Sequence, residues 1–105
     1  MSELPESYNR VKLEYPELVK RYEALGEVSK SAGPLDARTA ELVKFGMCVG
    51  GGLEGGAHAS VRKALAAGCS PDELRHAAVL AVTTLGFPTM ARAKAWVEDV
   101  LSASA

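Results

Sequence analysis

The chain has little from which to build a covalent or redox scaffold. Cys48 and Cys69 are its only thiols, too far apart for a Cys-x-x-Cys pair or half of a cysteine zinc site. In a cytosolic chain both are expected to be reduced, and their simplest role is that of small apolar residues. A basic surplus is also missing: 12 Lys and Arg against 13 Asp and Glu leave a net charge of −1, which argues against nucleic acid or an anionic membrane as partner. No apolar run approaches the roughly 20 residues of a membrane span. The opening Met-Ser-Glu-Leu-Pro-Glu lacks the basic start and apolar core of a secretory signal, so the cytoplasm is the expected location. Strand-like alternation of apolar and polar residues does not occur anywhere, which leaves an all-α fold. At 105 residues, residues 1–105 are expected to form one domain.

What is present is a series of helical periods with clear punctuation. Residues 7–15 suit a short helix that Pro16 ends. From Glu17, the residues Leu18, Val19, Tyr22, Leu25 and Val28 recur at helical spacing until Gly33-Pro34. Asp36 is placed to cap a third helix over 37–49, which the run Gly50-Gly51-Gly52 stops. A fourth helix ends at Gly68, and Ser70-Pro71-Asp72-Glu73 carries the capping-box pattern that starts a fifth. That helix reads as continuous to Gly86-Phe87-Pro88 and is apolar all round from Ala77 to Val82. A helix of that kind must be covered on every side, so subunits are expected to associate and complete its burial. A last helix over about 89–101 presents Met90, Ala93, Val97 and Leu101, with Phe87 and Trp96 expected in the core.

The stretch from Phe45 to Leu65 carries the strongest functional signal. Six of the ten glycines fall between Gly46 and Gly56, and within them stand Glu54 and His58, four residues apart. On a helix, positions 54, 58, 61 and 65 share a face. Val61 and Leu65 mark that face as the buried one, so Glu54 and His58 are expected to point inward, to the core or an interface. An imidazole titrates near neutrality and can give up a proton, and a carboxylate one turn away favours its charged form. The glycines permit a tight turn and close helix approach, and leave room for a ligand beside His58. They also offer free backbone N–H groups to an anion, although no Gly-Lys-Ser/Thr follows and a nucleotide-triphosphate loop is unsupported.

The ordered set Leu-Asp-x-Arg-Thr-x-Glu-Leu (35–42), Glu-x-x-x-His (54–58), Arg-Lys-Ala-Leu-x-x-Gly (62–68), Ser-Pro-Asp-Glu-Leu (70–74) and Leu-Gly-Phe-Pro (85–88) resembles the carboxymuconolactone decarboxylase family, which also contains the AhpD-type alkylhydroperoxidases. The match covers about residues 34–101. It implies an AhpD-like all-helical domain of about five to six helices, assembled as a homo-oligomer, a trimer or hexamer, with active sites near subunit interfaces. The hydroperoxidase branch carries Cys-x-x-Cys ahead of its histidine. Aligned on His58, those cysteines fall on Gly51 and Glu54, so a dithiol relay cannot operate there. The decarboxylase branch has Glu-x-x-x-His, which Glu54 and His58 reproduce.

The resemblance and the residues together point to a small-molecule acid–base enzyme of decarboxylase or lyase type. His58 is the proton donor and acceptor, Glu54 its partner, and Glu41 a further acidic candidate from Thr-x-Glu-Leu. No cofactor and no metal is expected. A metal site of Glu54, His58 and His76 lacks a ligand doublet elsewhere in the chain. The first alternative is an AhpD-like peroxidase or antioxidant working through Cys48, the thiol nearest His58 in sequence. The second is a non-enzymatic oligomeric module whose Glu–His pair holds an interface.

Overall fold

The computed structural model describes residues 6–104, with the Ser104 side chain left aside. Among these residues all regular structure is helical. The chain divides into two compact units with the boundary between Leu35 and Asp36.

The N-terminal unit holds α1 (Glu6–Glu14) and α2 (Pro16–Lys30). Pro16 occupies the first turn of α2, where its missing N–H costs no hydrogen bond. The Tyr8 hydroxyl donates to Glu23 on α2, and Lys12 lies 3.7 Å from the same carboxylate. Little apolar surface is buried here: Val19 is covered, whereas Leu18, Tyr22, Leu25 and Val28 are exposed along one side of α2.

The C-terminal unit contains α3 (Ala37–Gly50), α4 (Glu54–Ala66), α5 (Pro71–Val79), α6 (Ala81–Thr84) and α7 (Phe87–Ser104). Counting α5 and α6 as one helix interrupted at Leu80 gives six helices in the described residues, within the expected number. Local chemistry sets the starts. Asp36 accepts the Thr39 N–H at 2.8 Å. Ser70 accepts the Glu73 N–H at 3.0 Å while Glu73 accepts the Ser70 N–H at 2.8 Å, the reciprocal pair expected of a capping box. Gly52, at φ +70, turns the chain out of α3 and into α4, a conformation that glycine adopts without Cβ strain.

The core is one cluster in which α4 lies between α3 and α7, with α5 against α7. Phe45 and Val49 come from α3, Ala57, Val61 and Ala64 from α4, and Leu74 and Ala78 from α5. From α7 come Ala93, Trp96, Val97 and Val100. The small residues of α4 allow close approach on both sides. At Gly56 the approach is at its limit, because a Cβ there would stand 2.9 Å from Cys48 Sγ. Gly56→Val is therefore expected to destabilise the fold by about 1–3 kcal/mol. Combining it with Cys48→Ala is expected to recover part of that loss, and a double-mutant cycle by denaturant unfolding reads the coupling directly.

Two expectations are corrected. The fifth helix is not continuous, and Val79 and Leu80 are exposed while Ala78 and Ala81 are buried, so its all-apolar stretch is covered on one side only in the single chain. Phe87 is not a core residue: it is 66% exposed at the first position of α7, where no helix of this unit covers it. Trp96 is buried as expected, with the Arg92 guanidinium 5.3 Å from its ring centroid.

Charged groups join α5 to α7 at the surface. Arg75 donates to both oxygens of Glu98, at 2.8 and 3.2 Å, and Lys94 donates to Glu98 at 2.8 Å. Hydrogen bonds from Arg75, then from Lys94, hold the Glu98 carboxyl at about 2, down from its ordinary 4.5. A carboxylate whose folded-state pKa is depressed contributes stability above its unfolded-state value, and loses it as pH falls through the folded one. Stability is thus expected to decline between about pH 4.5 and 2, and Glu98→Gln to flatten that decline. Urea unfolding midpoints measured across this pH window give the comparison.

Candidate functional site

The turn Gly51-Gly52-Leu53 delivers Glu54 to the first turn of α4, and the Leu53 N–H donates to the Cys48 carbonyl at 2.8 Å. One turn later stands His58. Its Nε2–H donates to Oδ2 of Asp99 on α7 at 3.0 Å. One ligand atom each from Glu54, His58 and Asp99 lies within 4.8 Å of the other two. Three groups able to hold a proton or a cation thus meet where α4 crosses α7. Because a carboxylate only accepts, the hydrogen bond to Asp99 assigns the Nε2–H tautomer to the neutral ring. Nδ1 is then the nitrogen that takes up or releases a proton.

The burial differs from the expectation. Glu54 is exposed rather than inward, Asp99 has a side chain 57% exposed, and His58 is partly covered at 23%. The reason lies in the rotation of α4. Ala57, Val61 and Ala64 fill the centre of the buried stripe, which places Glu54 and His58 at its α7-facing margin. Trp96 lies one turn from Asp99 on α7, and its ring is in the core. Phe87 lies about 18 Å from Asp99 along the helix, at 1.5 Å per residue.

Cys48 is not brought to His58. Its Sγ lies 4.0 Å from Ser60 Oγ and closes on Gly56, and positions 56 and 60 lie on the side of α4 opposite position 58. The helix stands between the thiol and the imidazole. Glu41 is buried, 3% exposed, on the α3 face that also carries Phe45 and Val49. Cys69, whose neighbour across the unit is the backbone of Arg38 on the same helix as Glu41, has its thiol pushed up chiefly by burial. Glu41 does not belong to the cluster at His58. Nor does His76, which lines an open groove of about 540 Å³ between α3, α5 and α6 with Glu73, Thr84, Leu42, Leu80 and Leu85. That groove and the proton-carrying cluster share no residue and are therefore separate features of the unit.

Sequence reasoning missed Asp99. The signal available was the doublet Glu98-Asp99 inside the otherwise apolar run Trp96 to Leu101. Neighbouring helical positions diverge by about 100°, so one carboxylate turns to Arg75 and Lys94 while the other turns to α4. Its partner lies 41 residues away, beyond any local pattern.

An all-α bundle whose Gly-rich turn sets a Glu-x-x-x-His pair on a central helix defines a class of small helical proteins. The model of the carboxymuconolactone decarboxylase family matches residues 16–99, and the chain belongs to that family. The match reaches back from the C-terminal unit to include α2. No curated protein and no solved structure matches the chain. No described helix is long and apolar enough to cross a membrane.

Proposed function

We propose that the protein is a proton-transferring enzyme of decarboxylase type, acting on a small carboxylated organic acid at Glu54, His58 and Asp99. The observation that carries this reading is the 3.0 Å hydrogen bond from His58 to Asp99, which orients the ring and leaves Nδ1 free to face a ligand. The substrate carboxylate leaves as CO2, and the electrons of the broken C–C bond stay on carbon, spread into an adjacent carbonyl. The His58 imidazolium then delivers the Nδ1 proton to that carbon and recovers a proton from water. Glu54, at the N-terminal end of α4, orients the ligand or passes the proton between His58 and solvent. Glu41, buried on α3, takes no step in this scheme.

A site this open needs a cover to exclude water, and we place it at an interface of a homo-oligomer, a trimer or hexamer, as the family resemblance implies. The exposed Leu53 beside Glu54 supports this, as do the exposed Met47, Leu80, Leu85 and Phe87 elsewhere on the unit. The peroxidase alternative has less support, since Cys48 faces Ser60 across a helix from His58.

The test is CO2 release from a series of carboxylated lactones and related acids. Release that survives Cys48→Ser supports the proposal. Absence of release from every acid, together with peroxide consumption and a sulfenic acid on Cys48, would overturn it in favour of the thiol.

A further inference from the structure

We propose that Glu54, His58 and Asp99 bind one divalent cation of the Mn²⁺, Co²⁺ and Zn²⁺ class. The inference uses the same three side chains as the reading above but rests on their geometry and charge.

Geometry comes first. Ligand atoms bound about 2.0–2.2 Å from one ion lie about 3 Å apart when adjacent and about 4.2 Å apart when opposite. His58 Nε2 and Asp99 Oδ2, at 3.0 Å, already stand at an adjacent spacing. The cluster as a whole spans no more than 4.8 Å, and the exposed Glu54 side chain on the first turn can close the remainder by rotation. Glu54 and His58 are related by one helical turn, which lets them chelate from one side, while Asp99 closes from α7.

Charge is the second, independent observation. Other anions of the unit are matched: Glu73 by Arg38, Asp72 by Arg75, and Glu98 by Arg75 and Lys94. Among the described residues no Lys or Arg pairs with Glu54 or Asp99, and the partner of Asp99 is His58. Arg62, one turn beyond His58 on α4, makes no ion pair with the cluster among the described residues. With a neutral ring the cluster carries two uncompensated negative charges beside a ring nitrogen. The donor set of one imidazole and two carboxylates suits borderline divalent ions, and three protein ligands leave coordination positions for water or an anionic ligand.

The test titrates chelator-treated protein with Mn²⁺ alone near neutral pH and follows free Mn²⁺ by electron paramagnetic resonance. Mn²⁺ is chosen because it favours N and O over thiolate, which keeps Cys48 and Cys69 out of the reading. The expected result is one saturable site per chain. His58→Gln and Asp99→Asn should each weaken it at least about 10-fold with unchanged far-ultraviolet circular dichroism, while His76→Gln leaves it intact. No saturable binding up to about 1 mM, the weak end of divalent-cation sites, would overturn the proposal. So would binding that Asp99→Asn does not weaken. The assay needs no substrate: decarboxylation without Mn²⁺ binding removes the cation and keeps the acid–base reading, and Mn²⁺ binding without decarboxylation does the reverse.

Discussion

His58→Gln is expected to lower turnover of a carboxylated substrate by about 10²–10⁴-fold, the usual contribution of a positioned proton donor. Glutamine has nearly the length of histidine and can still donate an amide N–H toward Asp99, so the contact between α4 and α7 survives. What it cannot do is carry a proton. The histidine side chain is only partly covered and the core beneath it is made by Ala57 and Val61, so melting temperature should change little. The loss should fall on kcat, because proton delivery matters after the substrate is bound. Asp99→Asn should give a smaller loss, since the asparagine leaves the imidazole in place and its amide oxygen can still accept from Nε2–H, so the ring is held less firmly but not removed. Full activity in His58→Gln would remove the imidazole from the mechanism.

Phe45→Ala carries the largest expected effect on stability. Phe45 is 1% exposed and is the largest of the fully buried side chains. It sits in the buried core to which α3, α4, α5 and α7 contribute. Truncating a buried phenylalanine to alanine costs about 3–5 kcal/mol, from lost transfer energy and from the cavity left behind. Whole domains are stable by only about 5–15 kcal/mol, so the variant should retain little margin. Denaturant unfolding followed by helical circular dichroism measures this. A cost under about 1 kcal/mol would mean that the cavity collapses and that Phe45 is not central to the core.

What could be read from the sequence was whatever local chemistry fixes. Asp36 and Ser70 cap helices with groups three residues away, and those starts are visible in a short window. Glycine runs and Gly-Phe-Pro marked helix ends for the same reason. The division at Leu80 had no such mark. Neither glycine nor proline stands there, and the change follows from which alanines, Ala78 and Ala81, are drawn into the core. Phe87 was misplaced because a large aromatic ring suggests a core, whereas its position at the start of α7 leaves it uncovered. The candidate site was half legible. The spacing of Glu54 and His58 revealed the pair, but the direction it faces depends on the rotation of α4 about the Ala57–Val61–Ala64 stripe. Asp99 came into view only once α7 was laid against α4.

The side chain of Arg38 spans more of the molecule than its place in the first turn of α3 suggests. Its Nη2 reaches both oxygens of Glu73, at 2.6 and 2.7 Å, and its methylenes lie 3.6–3.9 Å from where a Cβ on Gly68 would stand. Its backbone carbonyl accepts from Cys69 Sγ at 3.7 Å. Glu73 is the residue that also closes the start of α5. The first turns of α3 and α5 are therefore joined through one guanidinium. Amide hydrogens at these two places, far apart along the chain, would exchange with solvent together, as a single opening event.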